Sequence, residues 1–281
     1  MECLVRVDSH SAHNEIPQRN LNALTKDEAM EFAPVGTYPN TGIDAIIVGT
    51  GFGGLTAALE FTRKGHHVKI LERNAAPDSS GKSKREVSSA PDSDISHPGD
   101  MYFMGLSATR FLRHWPEMKK RYEEISLHNA WIETYKHDGN LMLAPQKVAD
   151  RLHAAGLDPG NAPGAFQMRP LVYKMLLEQV EKLGIPIEYG CRVTNYFDKG
   201  SAKGGVELED GTTLEADLVV AADGIGSKAN KLVGGEVRAR SSGRAMWRAV
   251  MPVSTLDADP EVREFFALRD GVDPIVRTWF A

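Results

Sequence analysis

Residues 46–73, IIVGTGFGGLTAALEFTRKGHHVKILER, carry the pattern on which the fold turns. The stretch opens inside the largely apolar run Ile43-Asp44-Ala45-Ile46-Ile47-Val48, which has the composition of a strand buried on both faces. A glycine-rich turn follows. Next comes Leu55–Lys64, where Leu55, Ala58, Leu59 and Thr62 recur at helical spacing and Gly65 is placed to stop the helix. Val68-Lys69-Ile70-Leu71 supplies a second strand. Strand, helix and strand within about 30 residues is the size of a parallel βαβ unit.

The turn Gly49-Thr50-Gly51-Phe52-Gly53-Gly54 satisfies G-x-G-x-x-G. A surface loop could carry the same letters; the buried strand before and the amphipathic helix after give them chemical meaning. Gly49 permits the tight turn, Gly51 lets the backbone approach a pyrophosphate, and Gly54 lets the helix pack closely on the strand. The helix N-terminus then presents N–H groups and partial positive charge to phosphates. Glu72, at the end of the second strand and about 20 residues downstream, is placed to accept hydrogen bonds from ribose hydroxyls. Its charge disfavours a 2′-phosphate and so argues against NADP in this site. The pattern specifies an ADP-containing dinucleotide and leaves FAD and NAD undivided.

Working outward, residues 1–40 mix polar residues, Pro and Gly without periodicity, and are expected to form a poorly ordered extension with one short helix near Thr25–Phe32. A polar insertion covers 75–98. Helical patterning returns in Ala108–His114, Met118–Ile125 and Arg169–Leu183, the last with Pro170 in its first turn and Gly184 at its end. Short strands are expected at Pro186–Tyr189, Arg192–Phe197, Val206–Glu209 and Thr212–Glu215, the last two flanking the hairpin signal Asp210-Gly211. Asp217–Ala222 reads as another buried strand, and Met246–Val253 as a strand opening a second region. The final residues, IVRTWFA, read as a strand cut in progress, so a truncated chain is expected.

The chain has 281 residues and a formal net charge of −5, which gives no broad electrostatic footprint for nucleic acid. Two cysteines, Cys3 and Cys191, cannot supply a disulfide framework or a Cys-rich metal site. Nine histidines are scattered; His10-x-x-His13 and His66-His67 lack partners for a metal, and no metal site is expected. No secretory signal and no stretch of about 20 apolar residues stands out. The expectation is a cytoplasmic protein without a membrane span, acting on a small molecule; its oligomeric state is not legible.

Residues 46–73, with the pair Glu72-Arg73, resemble the FAD-binding start of the single-component (class A) flavoprotein monooxygenases, the para-hydroxybenzoate and salicylate hydroxylase family. Two later segments agree. Arg169-Pro170-Leu171-Val172-Tyr173-Lys174-Met175-Leu176 is similar to the family's Arg-x-x-Leu helix, whose arginine contacts FAD; a guanidinium there can grip phosphate or ribose oxygens. The run from Asp217 through Asp223-Gly224 to Ser227 is similar to the family's Asp-Gly motif, associated with both FAD and NAD(P)H. Ser242-Gly243-Arg244-Ala245-Met246-Trp247-Arg248 resembles the strand entering the substrate domain, and the resemblance gives Arg248 the catalytic role of holding a substrate phenolate. Gly99, in Gly99-Asp100-Met101, is implied as a further cofactor contact.

The resemblance covers roughly residues 43–281. It departs in the long polar stretch before Gly99, in Leu106-Ser107 where relatives often have Pro-Asn, and in lacking the later Gly-Asp-Ala-Ala-type motif. It implies an α/β fold: a Rossmann-like FAD-binding domain of the glutathione-reductase type at 41–240, then the incomplete beginning of an α+β substrate domain at 241–281. The implied activity is hydroxylation of an aromatic, phenolic molecule in secondary metabolism. NAD(P)H reduces FAD, oxygen adds at C4a, and the hydroperoxide attacks the ring. Another FAD oxidoreductase, such as a reductase or alkene epoxidase, or a non-catalytic FAD-domain fragment, stays open as an alternative.

Overall fold

The computed structural model describes residues 3–4, 38–76, 101–127, 130–154, 156, 166–200, 203–233, 240–243, 258–267 and 275–280. The chain divides into two compact units, Met1–Ala90 with Leu176–Ser242, and Pro91–Met175 with Gly243–Ala281. It passes between them within the helix Arg169–Lys182. Pro91–Met175 therefore groups with the C-terminal stretch, where the sequence suggests one continuous domain over 41–240.

The first unit is built on a five-stranded sheet in the order Cys3–Leu4, Leu218–Ala221, Asp44–Val48, His67–Glu72, Ile187–Tyr189. All neighbours pair in parallel except Cys3–Leu4, which runs antiparallel to Leu218–Ala221. Ile47 stands opposite Val220 on one side and Ile70 on the other. A parallel pair needs a crossover, and the helix Phe52–Arg63 supplies it between the second and third of the named strands in chain order. Leu55, Ala58 and Leu59 are completely buried on that helix, as their spacing of three and four residues predicts. Each buried leucine contributes about 1.5–3 kcal/mol by leaving water.

A three-stranded antiparallel sheet, Val193–Asp198, Gly204–Leu208 and Thr213–Ala216, belongs to the same unit. Its hairpin closes at Asp210-Gly211, where Gly211 has φ +85° and Leu208 N–H donates to Thr212 O at 2.8 Å. Tyr196, Val206 and Leu208 from this sheet share a core with Ile46, Val48 and Leu71 of the parallel one. Ile46 and Val48 alternate with Ile47 along their strand, so the parallel sheet is buried on both faces.

The second unit centres on Trp131–Lys136, which pairs in parallel with Ile275–Phe280 and antiparallel with Leu141–Lys147. A smaller sheet places Phe166–Met168 between Met101–Phe103 and Ser126–Leu127. Ala130, Val148 and Phe166 form its buried centre, with Ile132 and Val276 packed against them. On the sheet's other face the buried Glu133 takes Arg277 Nε at 2.7 Å and Tyr135 Oη–H at 2.8 Å. The strands Trp131–Lys136 and Leu141–Lys147 and the helix Val148–Ala154 are elements the sequence reading did not anticipate.

The expected elements at Asp217–Ala222 and Arg169–Leu183 appear as Leu218–Ala221 and Arg169–Lys182. Ala108–His114 appears instead as the helix Leu106–Thr109 followed by a 3-10 turn Arg110–His114. Of the expected N-terminal extension, Cys3–Leu4 forms an edge strand. The suggested helix near Thr25–Phe32, the strand Met246–Val253 and nearly all of the insertion 75–98 lie outside the described residues.

Candidate functional site

The Asp44–Val48 strand delivers the glycine turn to the carboxyl edge of the parallel sheet, the usual place for ligands in such folds. Gly49 has φ +103°, a conformation only glycine adopts without strain, and its N–H donates to Leu71 O at 2.8 Å. A Cβ on Gly49 would stand 2.6 Å from Ala222 O, so the neighbouring strand end closes that side of the turn. At Gly54 a Cβ would fall 1.9 Å from Gly49 O. That contact is why helix and strand can approach so closely. At Gly51 the nearest heavy atom to such a Cβ is Ala222 O at 4.0 Å, so this face of the turn is open.

Gly51 is the N-cap of the helix Phe52–Arg63, and no side chain caps it and no acidic residue lies in its first turn. The positive end of the helix dipole is thus directed past a turn without side-chain bulk, which is the geometry that receives a phosphate.

Glu72 closes the site from the adjacent strand and is buried. Its Oε2 accepts from Thr50 N–H at 2.9 Å and from the Thr50 hydroxyl at 2.7 Å. Its Oε1 accepts from Asn74 N–H at 2.8 Å and from Asn74 Nδ2 at 2.6 Å. Burial by itself would raise the carboxyl pKa; the hydrogen bonds from Thr50 and Asn74, helped by the charge of Arg73, outweigh it and hold the group below the ordinary value of 4.5. Glu72 is therefore anionic at neutral pH.

Asp223 follows Ala222 just past the end of Leu218–Ala221, so it stands at the same sheet edge as Gly49. Its Oδ1 is buried, with no hydrogen-bond partner among the described residues, and the same holds for the hydroxyl of Tyr196. Burial, then the nearby Asp223 charge, push the Tyr196 hydroxyl far above its usual pKa. The Tyr196 hydroxyl thus faces the Asp223 carboxylate, and it is the open turn at Gly51 with the anionic Glu72 that suits a ligand carrying phosphate and hydroxyl groups. The residues present therefore fit a dinucleotide with a pyrophosphate and a ribose.

Five of the sequence-predicted residues, Gly49, Gly51, Gly54, Glu72 and Asp223, are thus assembled at one sheet edge of the first unit. Arg169 opens its helix in the second unit, exposed, and its charge acts on Tyr102, whose hydroxyl burial pushes up to about 12. Gly99 and Arg248 lie outside the described residues. Thr50 and Asn74 escaped the sequence reading. The signal for them was a hydroxyl inside a glycine turn and a carboxamide two positions beyond the acidic residue. No group of side chains suited to a metal ion occurs among the described residues.

Residues 44–271 match the family described as FAD dependent oxidoreductase. The chain is 37% identical over 80% of its length to FAD-dependent monooxygenase nsrK of Aspergillus novofumigatus, and 36% identical over 86% to FAD-dependent monooxygenase fsr3 of Gibberella fujikuroi. In both cases it spans 43% of the relative. Among solved structures it resembles FqzB with a TM-score of 0.65 and 28% identity, covering 88% of this chain and 50% of that one. It also resembles CtdE, solved in complex with FAD and a substrate, with a TM-score of 0.51 and 28% identity over 69% of this chain and 41% of that one.

Proposed function

Because the chain belongs to the FAD-dependent oxidoreductase family, among whose members are named monooxygenases, we propose that it forms the FAD-holding part of a single-component, para-hydroxybenzoate hydroxylase-like enzyme. In this reading the substrate is a small phenolic molecule and the reductant NAD(P)H. The observation that carries it is the open turn at Gly51 beside the anionic Glu72, an arrangement that pairs a phosphate seat with a sugar acceptor.

FAD, when bound, supplies the redox chemistry that moves one oxygen atom of O2 onto an electron-rich ring. The chain's own residues bind and orient. Backbone amides of the helix start neutralise pyrophosphate charge without a counter-cation, and Glu72 receives the adenosine ribose. Asp223 accepts from a donor on the cofactor, while Arg169 and Gly99 make further cofactor contacts. Arg248 holds the substrate as its phenolate, which favours electrophilic attack on the ring.

No helix among the described residues is long and apolar enough to cross a membrane, and the reading places the protein in the cytoplasm, with no nucleic-acid partner. The first test is a titration of the purified chain with FAD, followed by flavin absorbance. The second, on a version extended to the length of the relatives, is substrate-stimulated NAD(P)H oxidation with one hydroxylated product per nucleotide consumed. An epoxide product, or oxidation without any oxygenated product, would replace the hydroxylase reading by another member of the family.

A further inference from the structure

Both oxygens of the Glu72 carboxylate are already occupied. An ionised carboxylate offers about four lone-pair positions, and Thr50 and Asn74 fill them, each with one backbone N–H and one side-chain donor. The two backbone donors are fixed. Gly49 N–H is tied to Leu71 O, Gly190 N–H to Asn74 O and Cys191 N–H to Glu72 O, so neither end of the clasp can swing away. The two side-chain donors differ in kind. The Thr50 hydroxyl and the Asn74 carboxamide each turn on their own side-chain torsions and can leave without moving the chain.

We infer that the Thr50 hydroxyl and the Asn74 carboxamide are displaceable stand-ins for a vicinal diol, and that they set which sugars the site accepts. The inference rests on the reading of Glu72 as the ribose acceptor. When a ribose binds, its two hydroxyls take the places of Thr50 Oγ1–H and Asn74 Nδ2–H on the carboxylate, and the two backbone amides stay. The exchange is one donor for one donor on each oxygen. A sugar without adjacent hydroxyls offers nothing in return and leaves both side chains where they are. The same two donors keep the buried charge satisfied when no ligand is present, which an unpaired buried carboxylate could not tolerate.

Removing a displaced donor weakens only the ligand-free state, so the affinity for a diol-bearing ligand rises. Calorimetric titration of the intact 281-residue chain, Asn74→Ala and Thr50→Val with ADP and with 2′,3′-dideoxy-ADP reads this directly. ADP is expected to bind about 10- to 100-fold tighter to each variant, the worth of one hydrogen bond to a charged group, while the dideoxy ligand binds as it does to the parent. The ratio of the two affinities is taken within one protein, so a partly unfolded preparation does not alter it. Thr50→Val, which keeps the side-chain shape, carries the test by itself if Asn74→Ala misfolds. A ratio that stays at the parent value or falls in the variants overturns the inference and leaves Thr50 and Asn74 as scaffolding or direct contacts. A parent chain that binds neither ADP nor FAD fails at the earlier step, and the ribose reading of Glu72 falls with it.

Discussion

Two glutamates among the described residues are buried, one in each compact unit, and they are held in opposite ways. Glu133 in the second unit, 2% exposed, meets the full positive charge of Arg277, whose guanidinium also lies 4.2 Å from the Phe265 ring centroid. Glu72 in the first unit, 7% exposed, meets dipoles: two amides, a hydroxyl and a carboxamide. A carboxylate neutralised by a neighbouring cation is a strut between strands, and it has no charge left to offer. One satisfied by neutral donors keeps its charge and can exchange those donors. The contrast separates a structural acid from the acid proposed to hold the ribose, although both sit on central strands and both are buried.

The surroundings differ in the same sense. Ile47, Leu55, Leu59, Ile70 and Leu71 of the first unit are all fully buried, while Leu141, Met142 and Leu143 of the second are each about half exposed on one strand. The first unit closes its core; the second leaves apolar surface on its edge strand.

The sharpest way to break the comparison is to remove the cation. Arg277→Met takes the guanidinium away from the buried Glu133 carboxylate, leaving its charge without a cation beside the Tyr135 hydroxyl, and should cost about 3–5 kcal/mol, read as a lowered urea midpoint by the fluorescence of Trp131 and Trp279. A loss near zero would remove Glu133 from the class of struts. Core truncation tests the second contrast. Leu59→Ala should lose about 2–5 kcal/mol, whereas Leu143→Ala should stay within about 0.5 kcal/mol. Equal losses would deny that the two units differ in closure.

Glu72→Gln keeps the shape of the acid proposed to hold the ribose and removes its charge. Hydrogen bonds to charged groups are worth about 1.5–3 kcal/mol, so FAD affinity should fall by about 10- to 100-fold while the urea midpoint moves less. The smallest effect is in acid. Because the folded state holds the Glu72 proton less tightly than the unfolded one, the charge stabilises the fold fully above the ordinary carboxyl value of 4.5 and the benefit is lost as pH falls through the depressed folded value. The stability difference between the parent and Glu72→Gln should therefore be constant above about pH 5.5 and close below 4.5. A difference that persists unchanged to pH 2 would mean that the charge contributes nothing.

The βαβ unit was readable because its signals are local: apolar runs of strand length, helical spacing at Leu55, Ala58 and Leu59, and glycines where the backbone must come close. The hairpin at Asp210-Gly211 was readable for the same reason. Asp138-Gly139 carries the same dipeptide, with Gly139 at φ +85°, yet its hairpin was not anticipated. Its second strand contains Pro145 and a run of exposed apolar residues in place of alternation, so the periodic signal is weak there. The pairing of Trp131–Lys136 with Ile275–Phe280 joins segments far apart in the chain, and no local pattern announces it. At the site, Gly49, Gly51, Gly54 and Glu72 were legible by type and spacing. Thr50 and Asn74 were not, because their role exists only once the strand ends bring them to one carboxylate.

The central strand of the first unit also sets a timetable for synthesis. Asp44 N–H donates to Asp217 Oδ2 across 173 positions of chain, and Leu218–Ala221 is the strand that covers that flank of Asp44–Val48. A ribosome adding about 5–20 residues per second needs on the order of ten to thirty seconds to cross that interval. Until then the nascent sheet has a bare hydrogen-bonding edge, the condition in which a growing chain is prone to stick to its neighbours. Ala222, whose carbonyl walls the turn at Gly49, arrives with the same late strand. The turn proposed to seat the cofactor therefore gains this wall only after the late segment emerges.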